Sequence, residues 1–158
     1  NINHLKLLVE YKADVNIKTW KGRTPLHICS ENGNVEYAQI LILHGADIDS
    51  LDITRRTPLI AAVESAWIFP DNLEMVKCLI ENRANMLLHT VNGKTAESLS
   101  IEGDRSDITE VIQAAIMIRE MCVAFAAGHH KRLGSGSRVN LFEPEVMRMI
   151  LDMVLSGK

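Results

Sequence analysis

The chain repeats itself. Thr24-Pro25-Leu26 recurs as Thr57-Pro58-Leu59, 33 residues on, and Ala13-Asp14-Val15-Asn16 recurs as Ala46-Asp47-Ile48-Asp49 at the same step. Ala84-Asn85 and Thr95-Ala96 follow after 38 residues, which fits one five-residue insertion at Ala66-Trp67-Ile68-Phe69-Pro70. A fixed period of this length marks a solenoid. Each unit is then one supersecondary element whose apolar face is buried only by its neighbours.

Each period reads as a pair of helices. Thr24 and Thr57 are placed as N-caps, where a hydroxyl accepts an orphan N–H of the first turn. Pro25 and Pro58 follow at the first helical position, where a missing N–H costs nothing. Short helices are expected over 26–31 and 59–65, and Gly33-Asn34 breaks the first of them. Second helices are expected over 36–44 and 73–82, the first ended by Gly45 in the left-handed conformation. Residues 47–56 form an extended loop or hairpin into the next cap.

With TPLH at 24–27 and Gly45-Ala46-Asp47 inside a 33-residue period, the chain resembles the ankyrin repeat. The resemblance covers residues 1–113, about four units. The first is only a second helix and its exit loop, and the fourth, opening Asn92-Gly93-Lys94-Thr95, has drifted. It implies an all-α ankyrin-repeat solenoid with short β-hairpin loops, in which the first helices line a concave face. It also implies protein–protein binding as scaffold or adaptor, without catalysis, and that His27 braces adjacent hairpins. Lys12 and Arg83 stand where the family has its helix-ending glycine, and Arg55 where the neighbouring hairpins have Gly22 and Gly93. A non-glycine residue held left-handed costs on the order of 1–3 kcal/mol; otherwise the local turn differs. Because the first unit lacks its first helix, the natural protein is expected to continue upstream. Self-association through that unit, and a catalytic domain upstream that this array regulates, both stay open.

The hairpin tips are the least constrained positions and hence the candidate partner site: Thr19, Trp20, Lys21 and Arg23, then Ile53, Thr54, Arg55 and Arg56, then Val91, Asn92 and Lys94. Five of these eleven are basic in a chain of net charge −3, which points to a partner with an acidic or mixed acidic–apolar loop or peptide. Tryptophan and arginine are the residue types that dominate interface energies. The alternative is that the cations only solvate the tips and Trp20 packs on its neighbour. Trp67 and Phe69, in the insertion, join the candidates. They either fold back on the flanking units or form an apolar patch for a partner.

Beyond 113 a helical C-terminal extension, 114–158, is expected. Residues 108–127 read as one long helix, apolar on a broad face and ended by Gly128. A second helix starts at Pro144, with Val146, Met149, Ile150, Met153 and Val154 as its stripe. The stretch Asn140–Val154 is similar to the opening of an F-box, which implies a substrate-recruiting adaptor of a ubiquitin ligase. A cap on the stack or a homodimer contact are the other readings.

Composition narrows the rest. No basic excess supports nucleic-acid binding, and no run of 18 apolar residues supports a membrane span. The first residues lack the pattern of a signal peptide. Cys29, Cys78 and Cys122 are odd in number and widely spaced, which suits buried thiols in a reducing cytoplasm or nucleus. No cofactor or metal is expected. Gly134-Ser135-Gly136 follows a helix rather than a strand and lacks the third glycine of a dinucleotide loop. His129-His130, being adjacent, have no second pair at ligand spacing. No nucleophile–base pair is legible.

Overall fold

The three threonines that open the first helices cap them as the sequence requires. Thr24, Thr57 and Thr95 lie in extended backbone and accept from the N–H groups of His27, Ile60 and Ser98. In this computed structural model, which describes residues 2–68 and 72–129, seven helices follow one another: α1 (Ile2–Glu10), α2 (Pro25–Glu31), α3 (Val35–Leu43), α4 (Pro58–Ser65), α5 (Leu73–Glu81), α6 (Ala96–Glu102) and α7 (Ser106–His129). Among the described residues there is no strand, only a bridge between His89 and Thr95.

The helices form two layers. The inner layer runs α2, α4, α6, and the outer layer runs α1, α3, α5, α7. Within each unit the pairs are α2 with α3, α4 with α5 and α6 with α7. Leu26, Leu41, Leu59, Leu79, Leu99 and Ile112 belong to one continuous buried cluster, so the all-α ankyrin-repeat solenoid that the resemblance implies is the fold. Half-buried Leu5, on α1, packs against the same cluster.

Left-handed positions fall where the unit demands them. Gly33 and Gly45 end helices at φ 67° and 86°. Lys12 and Arg83 take the helix-ending place at φ 59° and 72°, and Arg55 the hairpin place at φ 61°. The turn is therefore kept and the residue is strained, rather than the turn changed. Asp104, at φ 53°, adds a fourth such residue that no repeat pattern had singled out.

Two expectations are corrected. Gly128 does not end the long helix: α7 continues to His129, because one glycine lowers helix stability without stopping it. Cys29 is half-buried rather than buried; burial still pushes its thiol up to about 11, so it is unreactive near neutrality. Cys78 and Cys122 are buried. Phe69 and the Asn140–Val154 segment lie outside the described residues.

Candidate functional site

The hairpins are built alike. Thr19, Asp52 and Thr90 open them, and each accepts through its side chain from the backbone N–H four residues on, at 3.2, 2.9 and 3.2 Å. Their own N–H groups donate to the carbonyls of Arg23, Arg56 and Lys94 at 2.9, 3.1 and 3.0 Å. Neighbouring hairpins are tied through the backbone. Ile53 N–H donates to Lys21 O, and Val91 N–H to Thr54 O, both at 3.1 Å. Below them, Asn16 and Asp49 accept from the N–H groups of Asp47 and Asn85 in the next unit, both at 2.8 Å.

His27 adds a cross-brace. Thr24 N–H donates to its Nδ1 at 3.2 Å, which puts the proton on Nε2, and Nε2 donates to Arg56 O at 3.0 Å. Burial holds its pKa below the ordinary 6.5, so the ring is neutral. This is the bracing role the family resemblance implied. At the equivalent place in the next unit stands Ile60, buried in the core, so the brace is not repeated there.

Charge repeats as well. Arg23 pairs with Glu31, Arg56 with Glu64 at 3.0 Å, and Lys94 with Glu102 at 2.5 Å. Each pair joins a hairpin to the inner helix of its own unit, eight residues on. Arg56 also bonds the buried carboxylate of Asp52 at 2.9 Å and approaches Glu31 at 3.9 Å. Burial alone would raise the Asp52 pKa. Bonds from Thr54 and Arg56 outweigh it and hold the carboxyl below its ordinary value. The basic tips are thus not a free cationic surface: three of their five cations are neutralised inside the chain. Lys21 and Arg55 form no ion pair among the described residues. Lys21 places its ammonium 4.9 Å over the ring of Trp20.

A groove of about 530 Å³ opens between the hairpins and the inner helices. It brings together Lys21, Ile53, Thr54, Arg56, Trp67, Val91, Asn92 and Lys94, which sequence reasoning had named, with Asp52, Glu64, Thr90 and Leu99, which it had not named as site residues. Trp20, Arg23 and Arg55 are not part of its lining. Trp20, Ile53 and Val91, the last two of them in that lining, hold the same place in three successive hairpins and are 84%, 64% and 60% exposed. They make an apolar ridge of unlike residues in like positions. The missed glutamates had a signal: the spacing of Arg23 to Glu31 recurs from Arg56 to Glu64 and from Lys94 to Glu102.

Trp67 closes one end. Its indole lies against Gly103, where a Cβ would collide with it, and its outer part remains exposed. Arg105 donates to Ala66 O and grips Asp107 with two further bonds at 3.0 and 2.8 Å, fixing the start of the lengthened turn. Trp67 therefore both folds back on the fourth unit and walls the groove. Among the described residues no helix is long and apolar enough to cross a membrane, and no three His, Cys, Asp or Glu side chains gather as a metal site.

The sequence is similar to an ankyrin repeat protein of fowlpox virus, 32% identical over 51% of this chain and 11% of that protein. It is similar to an ADP-ribosylation factor GTPase-activating protein of Arabidopsis thaliana, 37% identical over 41% of this chain and 9% of that protein. It is also similar to the B-cell lymphoma 3 protein homolog of Mus musculus, 36% identical over 53% of this chain and 18% of that protein. The chain thus spans between about a tenth and a fifth of the length of these relatives. Residues 1–88, more than half of the chain, match the family described as ankyrin repeats (3 copies), and with the two-layered helix stack above this chain belongs to the ankyrin repeat family.

Proposed function

We propose that this chain is a non-catalytic protein-binding module, a scaffold or adaptor, whose partner lies along the hairpin ridge and in the groove behind it. The observation that carries this is the convergence of side chains from three units on one groove beside an exposed apolar ridge. Aromatic and aliphatic side chains held on a rigid, hydrogen-bonded frame lose little entropy on binding. The partner presents apolar side chains to Trp20, Ile53 and Val91. A carboxylate of the partner fits opposite Lys21 and Arg55, the two tip cations without an ion pair among the described residues. Arg23, Arg56 and Lys94 hold the hairpins against the inner helices, and Arg56 and Lys94 also line the groove. The buried thiols of Cys78 and Cys122 suit a reducing compartment, cytoplasm or nucleus.

The test is photocrosslinking from the full-length protein in its source cell. A benzophenone amino acid is placed at Ile53 or Val91, with Glu36 on α3 as control. Discrete adducts are expected from the two ridge positions, none from Glu36, and their loss when Trp20→Ala is added. Equal adducts from Glu36, or ridge adducts indifferent to Trp20→Ala, would discard this site.

A further inference from the structure

Neighbouring hairpins touch backbone to backbone, and this fixes the pitch of the ridge. Each hairpin contributes two arms. In the second hairpin they are joined by Asp52 N–H to Arg56 O, and the step to the first hairpin is Ile53 N–H to Lys21 O, both at 3.1 Å. The third hairpin repeats this with Thr90 N–H to Lys94 O and Val91 N–H to Thr54 O, at 3.0 and 3.1 Å. A Cβ on Gly22 would lie 3.1 Å from the nitrogen of Ile53 and 3.2 Å from the Cα of Asp52, so these two backbones approach as closely as glycine allows. Arms bonded in this way lie about 4.8 Å apart, and two arms per unit give the ridge a pitch of about 9.6 Å. The insertion after α4 leaves that pitch unchanged, because the same bond joins the hairpins on both sides of it.

The ridge carries two parallel rows. Trp20, Ile53 and Val91 are the apolar row. The residues that follow them, Lys21, Thr54 and Asn92, are the polar row, and all three line the groove. Thr54 donates its hydroxyl proton to Asp52 Oδ1 at 2.7 Å. The side chains of Lys21 and Asn92 donate no hydrogen bond among the described residues.

We propose that the partner segment is a polyproline II stretch with an apolar side chain at every third position and a carboxylate beside one end. This rests on the ridge being the site. Polyproline II has three residues per turn at about 3.1 Å each, so like-facing side chains recur every ~9.3 Å. Over the two steps from Trp20 to Val91 it stays within about 1 Å of the ridge. A β-strand repeats a face every ~6.7 Å and misses Ile53. An α-helix returns to a face after seven residues, at about 10.5 Å, and is out of step by roughly 2 Å at the third hairpin. Polyproline II makes no internal hydrogen bonds, so its carbonyls are open to the Asn92 amide. Its preset backbone loses little freedom on docking. The tip cations without an ion pair among the described residues, Lys21 and Arg55, stand on the first and second hairpins, while Lys94 on the third is held by Glu102. The carboxylate therefore belongs at the Trp20 end.

Isothermal titration calorimetry on the full chain tests this with two synthetic peptides of one composition. In Asp-Leu-Pro-Pro-Leu-Pro-Pro-Leu-Asp leucine recurs at every third position, and in Asp-Leu-Pro-Leu-Pro-Leu-Pro-Pro-Asp at every second. Proline holds both in the same conformation, and a carboxylate at each end serves either direction along the ridge. The first peptide is expected to bind at least about tenfold tighter. Ile53→Ala and Val91→Ala, both at exposed positions, each remove that preference. Asparagine in place of the peptide's aspartates weakens binding and removes its salt dependence. Equal affinity for the two spacings, tighter binding of an α-helical peptide with leucine at every seventh position, a preference that survives both alanine variants, or no loss with asparagine ends each overturns the proposal. The ridge itself is judged separately. Ridge adducts in the crosslinking experiment together with equal affinity for the two peptides discard the polyproline II segment and keep the site, whereas absence of ridge adducts discards both.

Discussion

Two residues show how closely the hairpins are specified. Arg55 sits at φ 61°, where Gly22 and Gly93 serve the neighbouring units at φ 74°. Arg55→Gly relieves the strain and is expected to raise stability by about 1 kcal/mol, read by denaturant titration. His27 acts through its neutral form. Its pKa is lowered in the fold, so the folded state refuses a proton that the unfolded chain accepts below pH 6.5. Stability is therefore complete above that value and falls as the pH drops from 6.5 toward the lowered folded value. Asp52, with its folded pKa lowered, adds a second loss only at more acid pH, below its ordinary 3.8. In His27→Gln the loss just below pH 6.5 is expected to vanish, while stability at pH 7.5 drops by about 1–2 kcal/mol as the bond to Arg56 O weakens. Both positions were legible in the sequence, one as an arginine in a glycine's place and the other through its TPLH setting.

At the scale of elements, the insertion after α4 was legible as five extra residues, but its effect was not. Sequence left open whether Trp67 folds back or faces outward, and the structure shows it doing both. The reason lies 36 residues away, in a glycine with no side chain at 103. Gly103 has φ −83°, so alanine is conformationally acceptable there and the cost falls on the indole. Gly103→Ala is expected to push Trp67 off the fourth unit. In a Trp20→Phe background this reads as a red shift of the tryptophan emission, with stability changed by no more than about 1 kcal/mol. An unshifted spectrum would mean that the indole does not rest on Gly103. The hairpin cations teach the opposite lesson. Counting basic residues pointed to a partner with an acidic or mixed acidic–apolar loop, but did not tell that Arg23, Arg56 and Lys94 are each paired with a glutamate on the following helix. Charge counts describe side chains one at a time, and ion pairs depend on which side chains the fold aligns.

For the molecule as a whole, the sequence determined the architecture. A 33-residue period with a threonine cap, a proline at the first helical position and leucines at matching places leaves few ways to bury the apolar faces. Stacking the units does so in one seam from Leu26 to Ile112. Local rules sufficed because every contact in a solenoid is with the same or the next unit. Tertiary structure alone decided the shape of the candidate site. Which tip residues share a groove, which cations remain unpaired and where Trp67 comes to rest all depend on the lateral alignment of neighbouring units. Hydrogen bonds such as Ile53 N–H to Lys21 O and Val91 N–H to Thr54 O set that alignment. Those bonds join backbone atoms, which every residue except proline carries alike, so no pattern of side chains records them.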